Sequence, residues 1–244
     1  KIENQVNLKL LLSKWPIDRK LIYCDEKINH EESIIKKLFP SKKYNNKWGV
    51  LIGPEGGFSD LEKEIILQNK NVIAVSQFSK DEIIKYYDYP EENIFVAHPS
   101  VDRRHFYRRS SEEIHKVKAK YDIFSDHYIL SVGNVEPRKN YGRLVEAYVQ
   151  LPREITDKYP LVIVGAGGWN NEEVKEQIQK AKENGYRIIN PKQFVSDEDM
   201  PALYSGAQFF AFTPIYEGFG MSPLEAYACG TPVLASKVAS VPEA

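Results

Sequence analysis

The segment YEGFGMSPLEAYACGTP, Tyr216–Pro232, follows an apolar run, 208–213, that predicts a buried strand. The glycines at 218 and 220 predict a turn from this strand into a helix. A helix N-terminus attracts anions, because its first N–H groups and the helix dipole point outward. Glu217 lies before the turn, and Glu225 lies within the helix. This arrangement favours a nucleotide-sugar site; a buried strand–helix unit with two solvated glutamates is the alternative that the spacing leaves open.

The bulk composition excludes several classes of protein. The chain has 244 residues, 42% of them hydrophobic, and a net charge of -1, which suits one large or two small domains and gives no general attraction to nucleic acid. Cys24 and Cys229 lack metal-ligand spacing and fit a reducing compartment. No apolar run approaches the roughly 18 residues of a membrane span, and the first residues given do not resemble a signal peptide. We therefore expect a cytoplasmic protein.

Strand-like and helix-like patterns alternate along the chain, which is typical of parallel strands joined by crossover helices. The predicted strands are 20–24, 48–53, 71–76, 93–97, 127–132, 161–164, 186–189, 208–213 and 233–236. The predicted helices are 2–15, 32–39, one that starts at 59, 79–87, 110–121, 141–150, 171–184, 196–205 and one within the opening segment. We expect capping boxes at Ser59, Ser79 and Ser110 and an N-cap at Ser196. The predicted fold class is α/β, with two Rossmann-like parallel-sheet units, the first of them shorter.

The loop after the predicted strand 127–132 is a second candidate site. It begins with Gly133 and carries Arg138 and Lys139. Arginine can clamp phosphate oxygens with its planar fork and lysine adds a point charge, so the pair would suit a diphosphate. An ordinary surface loop is the alternative for this segment alone. Ligands of open α/β sheets bind at the carboxyl ends of strands, and this loop and the Glu217 turn both follow strands, which favours a shared site.

Two other charged segments each allow two interpretations. Arg103–Arg109 mixes arginine with aromatic residues and is either a solvated linker or a phosphate contact. Asp197–Asp199 has an acidic-x-acidic pattern, which we interpret as the negative first turn of a helix behind Ser196 and not as a metal site. His98 and His105 flank the linker, and we assign neither a catalytic role.

Residues from about 71 to 244 resemble family 4 of the retaining glycosyltransferases. The matching stretches are VIAVSQFSKDEIIKYY, VGNVEPRKNYGRLVEAY, LVIVGAGGW, FVSDEDMPALYSGA and YEGFGMSPLEAYACGTPVLAS. The resemblance implies a GT-B-like C-terminal domain at 106–244, which binds the donor and is C-terminally truncated. Residues 71–105 would be the end of the N-terminal α/β unit and the linker.

The resemblance also implies a role for the residues of both loops. Glu217 would be the catalytic residue beside the transferred sugar, and Glu225 would bind the ribose of the donor. Lys139 would contact the diphosphate, with Arg138 beside it. The remaining donor-binding residues are the loop glycine, the glycine turn with the helix start, and a segment that borders the nucleobase: Gly133, Gly218, Phe219, Gly220, Met221, Ser222, Val195 and its neighbour Phe194. Many family members carry arginine where this chain has Asn134, so Arg138 would have to replace that part of the diphosphate clamp.

The implied reaction is transfer of a hexosyl or mannosyl group, with retention, from a GDP- or UDP-sugar to a glycan or lipid-linked acceptor. Fixed cations and helix N–H groups would stabilise the leaving diphosphate, so no metal and no further cofactor are expected. No nucleic acid partner is expected, and a peripheral membrane association would fit a lipid-linked acceptor.

Residues 1–70 instead resemble the C-terminal part of the SPOUT-class small-subunit rRNA uridine-N3 methyltransferases, through the stretch LIGPEGGFSDLEKE, 51–64. The loop that the resemblance places at the S-adenosylmethionine site consists of Gly53, Pro54, Glu55, Gly56 and Gly57. After Val75 and Ser76 the chain lacks the segment that completes this cofactor site, so S-adenosylmethionine binding is not expected. The pattern favours a chimera joined between residues 71 and 76; a divergent natural N-terminal domain is the alternative. We expect residues 1–70 to contact the later domain across a cleft.

Three functions follow from these patterns. The first is a nucleotide-sugar-dependent glycosyltransferase, or only its donor-binding part, because both parent domains look incomplete. The second is a catalytically silent α/β scaffold. The third is an S-adenosylmethionine-dependent rRNA methyltransferase.

Overall fold

A computed structural model of the chain describes residues 72–165 and 171–244, which belong to two compact units, 1–98 and 99–244. The division after residue 98 falls within the segment 71–105 that the sequence assigns to the end of the first unit and the linker. The predictions for residues 1–70, including the Gly53–Gly57 loop and the expected contact across a cleft, lie outside the described residues.

The described part of the first unit is a β–α–β unit. Strand β1 (Val72–Ala74) and strand β2 (Ile94–Val96) pair in parallel, with Val72 opposite Ile94. Helix α1 (Gln77–Tyr87) connects them, followed by a 3₁₀ turn at Glu91–Asn93. A small buried cluster of Val72, Ala74, Ile83, Tyr89 and Ile94 holds helix and strands together.

The capping box predicted at residue 79 is wrong, because helix α1 begins two residues before it. Ser76 has an extended backbone and is the N-cap; its hydroxyl accepts the Ser79 N–H at 2.9 Å. Ser79 therefore lies in the first turn of the helix and is not its N-cap.

The second unit contains a five-stranded sheet with helices. Its strands are β3 (Ile129–Val132), β4 (Leu161–Val164), β5 (Ile188–Ile189), β6 (Phe209–Phe212) and β7 (Val233–Ala235). Its helices are α2 (Ser111–Lys120), α3 (Tyr141–Val149), α4 (Arg153–Lys158), α5 (Glu172–Glu183), α6 (Met200–Gly206) and α7 (Met221–Ala228). The strand order is β5-β4-β3-β6-β7 and every pair is parallel, which confirms the predicted α/β fold class.

The central strands β3, β4 and β6 are largely buried on both faces, as is typical of parallel sheets flanked by crossover helices, whereas the edge strand β7 is partly exposed. Successive strand residues point to opposite faces, so Leu130 and Phe210 enter one core while Ile129 and Ala211 enter the other. The first core also takes residues from α2, α6 and α7, and the second takes residues from α3 and α5. The sheet is thus a rigid platform between two helical layers.

The strand order places a topological switch point between β3 and β6. From β3 the chain moves outward to β4 and β5 on one side, and it then returns to β6 and continues to β7 on the other side. Loops that leave the carboxyl ends of β3 and β6 therefore diverge to opposite faces and leave a crevice, where ligands of open α/β sheets bind.

Two helices of the second unit differ from prediction. The predicted start of a helix at Ser196 is wrong: 196–199 form a turn, with the Asp199 N–H bonded to the Ser196 carbonyl, and α6 begins at Met200. Pro201 explains this start, because proline is tolerated only in the first turn of a helix. Helix α4 was not predicted, since its six residues carry too little periodicity. Of the helices in the described ranges, none has the length and apolar character to cross a bilayer.

Candidate functional site

Two loops meet at the switch point. The β3–α3 loop, 133–140, contains a 3₁₀ turn at Pro137–Lys139, and the β6–α7 loop, 213–220, contains Glu217. The Ile215 N–H donates to the Arg138 carbonyl at 2.8 Å, so the second loop is hydrogen-bonded to the first. The two loops that the sequence marks as candidate sites therefore form one site, in which Arg138, Lys139 and Glu217 lie together.

The start of the first loop requires two glycines. Gly133 has a φ of +140°, and a Cβ there would lie 3.4 Å from the Lys139 Cε and from the Tyr141 hydroxyl. That hydroxyl donates to the Gly133 carbonyl at 2.9 Å, and burial raises the pKa of the Tyr141 phenol, which keeps it a donor. Gly165, at the end of β4, approaches even closer, since a Cβ there would lie 2.0 Å from the Gly133 carbonyl oxygen.

Glu217 is the centre of a charged cluster. Its side chain is only 4% exposed, and its Oε1 accepts from Lys139 Nζ at 2.6 Å and from the Arg138 guanidinium at 3.0 Å. The Arg138 Nε lies 3.2 Å from Glu136 Oε2, an ion pair without the alignment of a hydrogen bond. The Glu217 carbonyl accepts from Ser240, which fixes the backbone as well. Two carboxylates and two cations therefore alternate, and their formal charges cancel.

Such a cluster is held by mutual pairing, because a buried charge that loses its partner is strongly unfavourable. Glu136 is a member that the sequence predictions missed. Its position in the same loop as Arg138, two residues before it, was a signal that could have found it.

Helix α7 starts beside this cluster without a side-chain cap. Gly220 is its N-cap with a φ of +97°, and a Cβ there would contact the Phe212 ring at 3.4 Å. No described side chain caps the helix, so the helix start at Met221 and Ser222 can receive an anionic ligand. Lys139 Nζ lies 5.5 Å from the centroid of the same Phe212 ring, so the lysine and the helix start flank one aromatic side chain.

Glu225 on α7 is oriented by a residue that the sequence predictions missed. Its Oε2 accepts from the Tyr204 hydroxyl at 2.8 Å. Tyr204, on α6, is fully buried and packs edge-to-face on Phe210. Burial first, and Glu225 second, raise the pKa of Tyr204, so the phenol stays protonated and donates. A tyrosine in a helix is typical of a core position, so no signal in the sequence marked this role.

The remaining predicted site residues are placed as follows. Val195 is buried and its side chain belongs to the hydrophobic core, while its neighbour Phe194 is 81% exposed. Phe219 is buried in the glycine turn, and nothing lies within 4 Å of a Cβ built at Gly218. A ligand contact at the 194–195 segment would therefore come from the Phe194 side chain or from the main chain of Val195.

Among the acidic residues 197–199, Asp199 is held by hydrogen bonds within the chain. Asp199 Oδ2 accepts from Lys120 Nζ at 2.6 Å, from the Tyr121 hydroxyl at 2.7 Å and from Ser196 at 3.0 Å. Burial raises the pKa of Asp199, but these hydrogen bonds outweigh it and hold the pKa below its ordinary value. Among the residues that the structure describes, no group of three or more His, Cys, Asp or Glu could hold a metal ion.

The basic cluster 103–109 is partly paired within the chain. Arg104 bonds Asp102 at 2.8 Å, and Arg109 pairs with Glu113 at 3.5 Å while its guanidinium lies 3.9 Å above the Tyr107 ring. These contacts favour the interpretation of this segment as a structural linker.

Two family models match different parts of the chain. The family model of glycosyl transferases group 1 matches residues 110–244, and the model of an RNA methyltransferase domain matches residues 1–77. The O-antigen chain mannosyltransferase B of Escherichia coli is 37% identical over 174 residues, which are 71% of this chain and 45% of that protein. The chain thus spans less than half the length of this curated relative.

Solved structures show the same fold. The crystal structure of Anabaena Alr3699/HepE in complex with UDP and glucose aligns with a TM-score of 0.65 at 24% identity, over 81% of this chain and 55% of that one. The C-terminal domain of a group 1 family protein, LpcC of Francisella tularensis, aligns with a TM-score of 0.50 at 25% identity, over 59% and 74%. Since the family model covers more than half of its residues, the chain belongs to the glycosyl transferases group 1 family.

Proposed function

We propose that this chain binds a nucleotide sugar at the switch-point crevice and is the donor-binding part of a retaining glycosyltransferase. The observation that carries the proposal is the convergence of Glu217, Arg138 and Lys139 beside the uncapped start of α7. A diphosphate needs cations and N–H donors, and a sugar needs a fixed carboxylate; the crevice offers all of these.

The chemistry of the leaving group explains why these residues suit the reaction. Breaking the bond between the anomeric carbon and the diphosphate leaves negative charge on the phosphate oxygens, while the acceptor hydroxyl bonds to the same carbon and gives up its proton to the leaving diphosphate. Lys139 and the N–H groups of α7 would stabilise that charge in a preorganised way. Glu217 would bind the transferred sugar beside its reacting carbon.

Further details of the ligand are proposed from the relatives. A mannosyl or other hexosyl donor carried by GDP or UDP fits the mannosyltransferase relative, and Glu225, oriented by Tyr204, would bind the ribose. The acceptor would be a glycan or a lipid-linked glycan, which a peripheral membrane association would serve. No cofactor beyond the nucleotide sugar is proposed.

A second proposal concerns residues 1–77, which match an RNA methyltransferase domain. We propose that the chain is a chimera whose junction lies between residues 71 and 76, and that its first part does not complete an S-adenosylmethionine site. The alternatives for the whole chain are a silent scaffold and a methyltransferase.

Calorimetric titration of GDP, UDP and S-adenosylmethionine into the whole chain separates these possibilities. Binding of GDP or UDP that is lost in Glu225→Ala, but kept in the exposed control Glu176→Ala, supports the donor-binding proposal. Binding of no nucleotide would support a silent scaffold. Tight binding of S-adenosylmethionine alone would overturn the proposal in favour of a methyltransferase.

A further inference from the structure

We infer that Arg138 is a positioning residue for Glu217 and not a ligand of the donor diphosphate, and that Lys139 is the cation that exchanges between Glu217 and the diphosphate. The inference rests on the proposed function. It assigns different roles to two adjacent cations that the family resemblance places together at the diphosphate.

Arg138 is fixed on several sides. Its side chain is 10% exposed and lies between Glu136 and Glu217, which are 12% and 4% exposed. Its main-chain carbonyl accepts the Ile215 N–H from the other loop. A guanidinium presents donors in several fixed directions, so it can serve two carboxylates at once, which an ammonium on a flexible stem does less well.

Moving Arg138 to a phosphate would remove a partner from two buried carboxylates. Glu136 and Glu217 would then each lose part of the positive charge that compensates them, which a buried site opposes strongly. Retaining Arg138 between them avoids this cost when the donor arrives. The geometry therefore favours an arginine that stays in place throughout binding.

Lys139 is suited to exchange. Its departure leaves Glu217 paired, because Arg138 bonds the same oxygen, Oε1. Its stem passes Gly133, which has no side chain to pack against it. Its Nζ already lies 5.5 Å from the centroid of the Phe212 ring, and Gly220 at the start of α7 lies against the same ring. A short rotation of the stem would bring the ammonium to an anion held at that helix start.

The exchange couples recognition of the diphosphate to recognition of the sugar. In the free site Glu217 Oε1 is shared by two cations, which makes it a weaker acceptor for other donors. When Lys139 moves to the diphosphate, the carboxylate keeps Arg138 and gains accepting capacity for a sugar hydroxyl. Binding of the diphosphate by Lys139 therefore strengthens the contact between Glu217 and the sugar.

The test compares Arg138→Lys with Lys139→Met in calorimetric titrations of the whole chain with GDP, GDP-mannose, UDP and UDP-glucose. We consider the guanosine or the uridine ligands, whichever bind. Arg138→Lys is expected to weaken the affinity for the nucleotide sugar by roughly tenfold, while the affinity for the nucleoside diphosphate stays within about twofold. Lys139→Met is expected to weaken both by roughly tenfold. If Arg138 had only a structural role, its replacement would change the affinities for the nucleotide sugar and for the nucleoside diphosphate by the same factor. Equal loss of nucleoside diphosphate affinity in the two variants would overturn the inference.

A ligand-free measurement separates this inference from the proposed function. If the wild-type chain binds none of the four nucleotides, the proposed function and the exchange step both fail, and thermal unfolding then decides the positioning role alone. We expect Arg138→Met to lower the Tm more than Lys139→Met does, and the added Glu217→Gln change to restore part of the loss. Strictly additive losses for Arg138→Met and Glu217→Gln would contradict a positioning role.

Discussion

At the scale of single residues, Gly165 allows the end of β4 to approach the main chain of Gly133 in the first loop. A Cβ at Gly165 would lie 2.0 Å from a main-chain oxygen of Gly133, which cannot move without displacing the first loop. We expect Gly165→Ala to lower the free energy of unfolding by about 1–3 kcal/mol and to weaken nucleotide binding. Gly218→Ala is the matched control for stability, because its Cβ meets nothing within 4 Å. Chemical denaturation of both variants checks this, and equal stabilities would refute the close approach.

Asp199 gives the protein a pH dependence of known sign. Its folded pKa lies below the ordinary value of about 3.9, so the hydrogen-bonded carboxylate stabilises the fold above that pH. This stabilisation is lost as the pH falls through the folded pKa. We expect Asp199→Asn to be less stable than wild type at neutral pH, with a difference that narrows below about pH 4. Urea denaturation across this range measures it, and a difference independent of pH would contradict the role of the charge.

The pairing of individual residues is the part of the site that the sequence predicted least. Arg138, Lys139 and Glu217 were identified as candidates, but Arg138 and Glu217 are 79 residues apart, and no local pattern shows that they bond. Tyr204 was missed because its role depends on which helix lies opposite it, whereas Glu136 pairs within its own loop and its position beside Arg138 was an available signal. Periodicity can show which side chains are buried, whereas the partner of a buried polar atom is set by tertiary structure.

At the scale of elements, the capping pattern predicted the start of helix α2 correctly. Ser110 and Glu113 form the predicted capping box of α2, with both reciprocal hydrogen bonds present. We expect Ser110→Ala to lower the free energy of unfolding by about 1 kcal/mol, because an N–H at the helix start loses its acceptor. Ser111→Ala, one position inside the helix, is the control and should be nearly neutral. Equal effects of the two changes on thermal unfolding would contradict the assignment of the cap.

Elements with competing signals were predicted less well. Ser76 and Ser79 both resemble caps, and the extended backbone after β1 selected Ser76. At α6, Pro201 fixed the start, although the acidic residues before it resembled a first turn. Boundaries of this kind depend on how the chain arrives from the preceding strand, which local sequence does not contain.

At the scale of the whole molecule, alternation of strands and helices predicted the parallel sheet but not its strand order. The order β5-β4-β3-β6-β7 is what brings the loops after β3 and β6 together. Without the strand order, one could only assume that the two candidate loops lie close together at the same edge of the sheet. The switch point therefore converts two separate sequence motifs into one site.

All of the described residues of this site lie in the unit 99–244. That unit contains both hydrophobic cores of the five-stranded sheet, so we expect it to fold when produced without residues 1–98 and to bind the same nucleotide as the whole chain. Circular dichroism and calorimetric titration of this fragment check the prediction. A folded fragment that has lost nucleotide binding would show that residues 1–98 contribute to the site.

The central claim is that the switch-point crevice holds a nucleoside diphosphate through Lys139. The most direct measurement is calorimetric titration of wild type, Lys139→Met and the exposed control Lys180→Met with a nucleoside diphosphate, GDP or UDP, and with its parent nucleoside. We predict that, of the two variants, only Lys139→Met weakens the affinity for the nucleoside diphosphate by roughly tenfold or more, while its affinity for the nucleoside stays within about twofold of wild type. Equal weakening of both ligands, or no weakening of either, would contradict the claim.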